Sequence, residues 1–349
     1  MSNNTASIIT LVKYEHDFIN QWIEYHYKLG FGHFYIIIDN IVEEQPDYEI
    51  DHTFKDNVTL IKCNQDTIIK KFGYTVQEFN NKHGYRHISY FLHELLNTEI
   101  IYNNIIKEDW VTAVGLDQFI YLNGETIQHY LSNIHETCTQ IFFPWSISAY
   151  NNQDMPYDNL MKNIHTYNCS YNKTTGHSNA MIRVSDLQAI SSNSHSFISK
   201  NIYQKIYIID EYYTAPKEIL DIFSYFRIAE EKMNKLDLYS LKMSSFHIML
   251  RNIDEIIIKN CLFWNMDNNN FNTLINDVQN KIYNLNTAIN RQKLLVVNHD
   301  KTVNNYLCNL QIPDLNYLNT NNQYKKLYMN YITEEQLNMW KSILPYLYI

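Results

Sequence analysis

Apolar residues along this chain follow two alternating rhythms. Ala6 to Val12 is a compact run rich in β-branched residues and reads as a first buried strand. From about Glu15 the period changes. Phe18, Ile19, Trp22, Ile23, His26 and Leu29 recur at three- and four-residue steps, which is one face of a helix. Gly30 follows where a left-handed closing residue is wanted. His33 to Ile38 is again continuously apolar and ends at Asp39-Asn40, and Val58 to Lys62 supplies a third short strand. Gly84 to Leu96 returns to the helical period, with Ile88, Phe91, Leu92 and Leu95 inward. Trp110 to Val114 reads as a strand that stops at Gly115-Leu116-Asp117-Gln118. The run resumes at Phe119 to Leu122, before a helical pattern from near Glu125. Thr139 to Phe143, Ala180 to Val184 and Ile206 to Ile209 are further strand candidates.

Strands that are apolar throughout, rather than alternating, belong to a sheet covered on both faces. The expected architecture is therefore α/β: a mixed, mainly parallel sheet with helices on both faces, over residues 1–215. Beyond Pro216 the pattern turns helical, at Lys217 to Lys235, Phe246 to Ile258 and Phe271 to Arg291. Thr333-Glu334-Glu335-Gln336 fits a capping box that opens a last helix. Residues 216–349 are expected to pack on the first domain or to form a small second one. Acceptor binding and a homodimer contact would both suit them.

Composition narrows the function classes. A formal net charge of -9, with only the short basic pairs Lys70-Lys71 and Lys325-Lys326, argues against a protein that coats nucleic acid. Five cysteines without C-x-x-C spacing suggest reduced thiols rather than a disulfide framework or zinc site. The N-terminal stretch lacks a basic n-region, and no apolar run approaches membrane-spanning length, so the expectation is a soluble, cytoplasmic protein. Tyr (29) is abundant and Gly (7) scarce, a bias that resembles translation from an AT-rich genome such as that of a giant virus. In that case the location would be the host cytoplasm or a virus factory.

Open α/β sheets bind ligands beyond the carboxyl ends of their strands. The polar residues at those ends are Lys13 and Glu15, Asp39 and Asn40, and Asp117 with Gln118. Each carboxylate alone reads as readily as a helix cap or a solvated loop; their common place in the strand–loop rhythm makes them a constellation. No G-x-G-x-x-G, Walker loop, G-x-S-x-G or H-E-x-x-H occurs. A nucleotide would need its diphosphate charge offset by a metal or by basic side chains.

Several segments together resemble family-92-type glycosyltransferases and the related family-2-like set. They are Leu11 to Glu15 (LVKYE), Gln21 to His26 (QWIEYH), Leu29-Gly30, His33 to Ile36 (HFYI) and Trp110 to Phe119 (WVTAVGLDQF). Met181 to Arg183 followed by His195, and Asp210 to Thr214, are similar to later segments of those proteins. The resemblance covers about residues 7–215. It implies a GT-A fold, a UDP-sugar donor and Mn²⁺ or Mg²⁺ held by a D-x-D motif and a downstream His. Carried over by position, Asp117 and His195 would be the metal ligands. Lys13, Glu15, Asp39 and Arg183 would serve the donor, with Glu15 and Asp39 facing uridine and Arg183 forking to the phosphates. The acceptor would be a glycan or glycoprotein.

The chain departs from that pattern where the chemistry is densest. Gly115 and Gln118 stand where the family has acids, Tyr14 replaces an Asn, Asn179 a Lys and Glu211 a His. No catalytic base is evident, with Glu211 and Asp154 the only candidates. Three readings follow: an active metal-assisted glycosyltransferase, a GT-A-fold protein that binds a glycan, nucleotide or protein partner without catalysis, and an unrelated α/β protein.

Overall fold

A computed structural model describes residues 4–40, 45–64, 104–149, 168–171, 178–190, 196–201, 203–208, 211–216, 241–248, 312–315 and 323–343, with a few isolated positions. The elements in chain order are β1 (Ala6–Val12), α1 (Ile19–Lys28), β2 (His33–Asn40), β3 (Val58–Asn64), β4 (Trp110–Ala113), β5 (Gln118–Tyr121), α2 (Ile127–Ser132), β6 (Cys138–Ala149), β7 (Asn168–Tyr171), β8 (Ser178–Arg183), β9 (Leu187–Ile190), β10 (Phe197–Ser199), β11 (Tyr203–Ile208), β12 (Glu211–Pro216), β13 (Ser244–Ile248), α3 (Gln323–Met329) and α4 (Glu334–Ile343).

Eight strands form one mixed, mainly parallel sheet in the order β3-β2-β1-β4-β8-β6-β11-β12. β1, β2, β3, β4, β6 and β11 run one way; β8 and β12 run against them. Through β1, β2 and β3 the chain moves steadily to one side. It then returns to lay β4 on the other flank of β1, with Ile8 opposite both Phe34 and Thr112. The order therefore reverses between β1 and β4, where an open α/β sheet leaves a crevice at its carboxyl edge.

Two strands leave this sheet at that crevice. After β4 the chain turns once and enters β5, which pairs with β13 instead of continuing in the main sheet. β6 stays in the main sheet as far as Pro144 and then pairs with β13 and β7. The result is a small sheet, β5-β13-β6-β7, that meets the large one beside Asp117. The sequence reading of a helix over Phe246 to Ile258 needs correction, because its first residues extend β13. Phe246 and Ile248 are buried between two strands, an environment that overrides a helical period in a short run.

The main sheet buries apolar residues on both faces. Ile8, Val12, Phe34 and Ile36 join Trp22, Ile23 and Tyr25 of α1 in one cluster. Ile9, Ile37, Val111 and Ile182 pack with Ile106 and with Leu187, Ile190 and Phe197 of the β9–β10 pair in the other. Among the described residues, then, the helical cover lies on one face and a hairpin covers the second. The helical patterns at Gly84 to Leu96, Lys217 to Lys235 and Phe271 to Arg291 lie outside the described residues.

α1 does more than cover a face. Among the described residues β5 pairs with β13 on one edge only, which leaves the peptide groups of Gln118 and Ile120 pointing the other way. Side chains of α1 satisfy them. The Trp22 indole N–H donates to the Gln118 carbonyl (2.8 Å), the Tyr25 hydroxyl to the Ile120 carbonyl (2.8 Å), and the Ile120 N–H to Nε2 of His26 (3.2 Å). Buried peptide groups demand such partners. Gly30 closes α1 at φ 97°, as its position predicted, and Gln128 fills the space where a side chain would stand. The capping box at the other end of the chain forms as well, with the Gln336 N–H on Thr333 Oγ1 and the Thr333 N–H on Gln336 Oε1.

Candidate functional site

The carboxyl edge gathers most of the residues singled out by sequence. The β1–β2 register sets Val12 opposite Ile38, so one step further Lys13 is level with Asp39. The β1–β4 register sets Ile9 opposite Ala113, the last residue of β4, so the turn bearing Asp117 leaves the sheet on the same edge as Lys13. Lys13, Glu15 and Asp39 are 4%, 8% and 1% exposed. Gln45 ties the two strand ends together, its Nε2 donating to the Asp39 carbonyl (2.6 Å) and its Oε1 accepting from Tyr14 N–H (2.8 Å). Tyr14 itself is held at φ 57°.

An aromatic stack covers the end of β1. The His16 ring lies flat on Tyr48, with centroids 3.6 Å apart, and on Tyr324 of α3 at 4.5 Å. Nε2 of His16 contacts the Pro46 carbonyl (2.8 Å), so it carries the proton, and Nδ1 accepts from the Tyr328 hydroxyl (2.6 Å). Burial lowers the His16 pKa to about 4, against the pull of that carbonyl and of Asp47. The Tyr48 hydroxyl is pushed well above its usual range, first by burial and then by the negative charges of Glu15 and, more weakly, Asp39. The C-terminal helix α3 is thus part of this edge: the Lys325 N–H donates to the Asp17 carboxylate (2.8 Å).

Asp117 stands in the turn where the chain passes from the large sheet to the small one. His247 of β13 lies directly across the ladder from Gln118, and its Nε2 is 3.2 Å from Asp117 Oδ1. The two side chains are 19% and 11% exposed, enough for a small ligand to reach while the protein fixes both. The dyad does not suit a triad-type base. Nε2, the nitrogen that would face a substrate, already faces the carboxylate, and Nδ1 is turned inward. It does suit a hard divalent cation. Two ligands on adjacent octahedral positions at about 2.1 Å from a metal stand about 3 Å apart, close to the separation seen. Among the described residues no three His, Cys, Asp or Glu side chains converge, so the remaining positions would fall to water or to the oxygens of a ligand.

The departures from the resembled motif have structural reasons. A Cβ on Gly115 would lie 2.7 Å from Oδ1 of Asp117, so Asp117 occupies the space a side chain there would need. Gln118 points into the protein, where its Oε1 accepts from the Gly115 N–H (2.9 Å) and from Nδ2 of Asn179 (3.4 Å).

Other expected members fall elsewhere. Arg183, expected at the phosphates, pairs with Trp110 at the start of β4, the edge opposite Asp117. Its Nε donates to the Cys138 carbonyl (2.7 Å) and its guanidinium stacks 4.4 Å over the Trp110 ring. There it lines an open depression of about 570 Å³ with Lys205, Asp186, Glu136 and several hydroxyls. Glu211 shares the carboxyl edge but sits on β12, four strands from β4 and hence roughly 19 Å away, exposed and accepting from Tyr213 (3.0 Å). His195 and Asp154 lie outside the described residues. His26 is a structural residue, fully buried with its pKa lowered to about 3 by burial.

His247 is the site residue that sequence reasoning missed. Its only signal is a His in a short β-branched-poor run, and the pairing that brings it to Asp117 spans more than a third of the chain. No helix among the described residues is long and apolar enough to cross a membrane. No protein-family model matches the chain, and no curated protein sequence matches it either.

Proposed function

We propose that this chain is a metal-assisted glycosyltransferase of GT-A type, taking a nucleotide-sugar donor, with a UDP-sugar the first choice, and a glycan or glycoprotein acceptor. The observation that carries the reading is the Asp117–His247 pair at the carboxyl edge of the sheet, beside the point where strand order reverses. Asp117 Oδ1 and His247 Nε2 would hold Mn²⁺ or Mg²⁺ in common, His247 taking the part that position had given to His195. Bound there, the cation would supply Lewis-acid stabilisation to the charge that develops on a departing diphosphate. Lys13, level with Asp39, adds a basic side chain at the same edge. Glu15 and Asp39, under the Tyr48 hydroxyl, are the hydrogen-bond acceptors nearest to where a nucleoside would lie.

The neutral residues at positions 115 and 118 favour a second reading, in which the same edge binds a glycan, nucleotide or protein partner without turning it over. Thermal melting with UDP-sugars, with and without Mn²⁺, separates the two. The first reading expects UDP with Mn²⁺ to raise the melting temperature, and Asp117→Ala or His247→Ala to remove the shift. No shift with any nucleotide at millimolar concentration would sink it. Slow hydrolysis of a UDP-sugar that disappears in Asp117→Ala would sink the second.

A further inference from the structure

Behind Asp117 and His247 lies a buried polar clasp that crosses three strands. Gln118 (β5), Asn179 (β8) and Ser245 (β13) are all buried. Asn179 Nδ2 donates to Ser245 Oγ (3.0 Å) and to Gln118 Oε1 (3.4 Å), and Gln118 Oε1 also receives the Gly115 N–H (2.9 Å). The Gln118 N–H returns to the Gly115 carbonyl (2.9 Å), which closes the 115–118 turn a second time. The Ile248 N–H donates to the Asp117 carbonyl (2.7 Å). Each bond fixes one of the two parts that must meet: the turn bearing Asp117, or the strand bearing His247 two residues beyond Ser245. Asn179 joins both to the large sheet.

We propose that Gln118, Asn179 and Ser245 are positioning residues for a divalent-cation site. They would act through Asp117 and His247, holding Oδ1 and Nε2 at the spacing of adjacent ligands before any ligand arrives. The inference rests on the cation-site reading above. With two protein ligands converging among the described residues, the affinity of such a site depends on how little the pair must move on binding, and partners behind metal ligands are worth about 10- to 100-fold in affinity. The clasp also accounts for the neutral residues. Gln118 has an amide where its neighbours in the resembled motif have an acid, and it is occupied in tying down the turn rather than in facing a substrate.

The alternative is that the clasp merely glues the two sheets together. Binding of Mn²⁺ to the full chain, followed by the electron paramagnetic resonance signal of the free ion, tells these apart when melting temperature is measured alongside without metal. Gln140→Leu is the control for lost stability. Gln140 is a fully buried glutamine on β6, bonded to the backbone of Phe197 and away from Asp117. Asn179→Leu and Gln118→Leu should raise the Mn²⁺ dissociation constant about tenfold or more, while Gln140→Leu lowers the melting temperature and leaves that constant alone. Gln118→Glu keeps the Oε1 acceptor and should bind Mn²⁺ at least as tightly as the unaltered protein. Ser245→Ala removes a single hydroxyl and carries the test if Asn179→Leu fails to fold. Unchanged Mn²⁺ affinity in the clasp variants, with melting lowered as in Gln140→Leu, overturns the positioning role while leaving the cation site standing. No Mn²⁺ binding by the unaltered chain, with or without UDP, overturns the cation site itself.

Discussion

Gly115 shows how a lost acid can be a packed one. The resembled motif has a carboxylate there; in this chain Asp117 folds back over the glycine, and its Oδ1 takes the space a Cβ would need. Restoring the acid should not restore a second ligand. Gly115→Asp is expected to weaken Mn²⁺ binding by displacing Asp117, and a tighter site in titration would show that Asp117 is free to move aside. Tyr14 makes a related point about backbone. Its φ of 57° lies in the left-handed region that glycine and asparagine tolerate better than a bulky side chain. Its ring meets Tyr328 edge-on at 5.0 Å. Removing the ring without relieving the backbone is the worse loss, so Tyr14→Ala should unfold at lower urea than Tyr14→Gly, by about 1 kcal/mol. Sequence exposed these positions as departures from a pattern. It could not show that one is filled by its neighbour, or that His247 stands near Asp117, because both facts depend on pairings between distant segments.

At the scale of elements, strands were legible and their partners were not. Continuous apolar runs located β1, β2, β4, β6, β8 and β11 to within a few residues at most of their starts. The strand over Ser244–Ile248 was hidden because five residues carry too short a pattern to separate from a helical one. Trp22 and His26, placed by their spacing on the apolar face of a helix, are buried there with Tyr25, and the polar tips of all three finish the open edge of β5. α3 was invisible as a site element, yet Tyr328 and Tyr324 complete the cover over His16. Tyr328→Phe keeps the ring and leaves Nδ1 of His16 without its donor, a loss of about 1–3 kcal/mol. The urea midpoint should fall accordingly, with the slope unchanged.

For the whole molecule, the parallel sheet and its carboxyl edge were legible from rhythm alone, since the runs of β1, β2 and β4 each ended in polar residues that now line one edge. The opposite edge received Arg183 because β8 runs against its neighbours, a direction no local pattern records. Two buried histidines give the molecule a pH signature. His26 and His16 are held near 3 and 4, below the ordinary 6.5, chiefly by burial. Above about pH 6.5 both are neutral whether folded or not, and their contribution is complete. As pH falls from there towards 4, the unfolded chain takes up protons that the native chain refuses. Stability should therefore decline by up to about 1.4 kcal/mol per pH unit for each histidine. Urea midpoints at pH 7, 6 and 5 check this, and His16→Gln should flatten the decline by about half.

β13 lies between β5 and β6, with His247 opposite Gln118 on one side and Ile147 on the other. Side chains along a strand alternate between faces, so a slip of one residue would deliver Phe246 or Ile248 to Asp117 in place of an imidazole. The chemistry of this edge is therefore encoded in alignment as much as in composition. An insertion anywhere between residues 241 and 247 that shifted the ladder by one step would erase the Asp117–His247 pair while leaving both residues in the sequence.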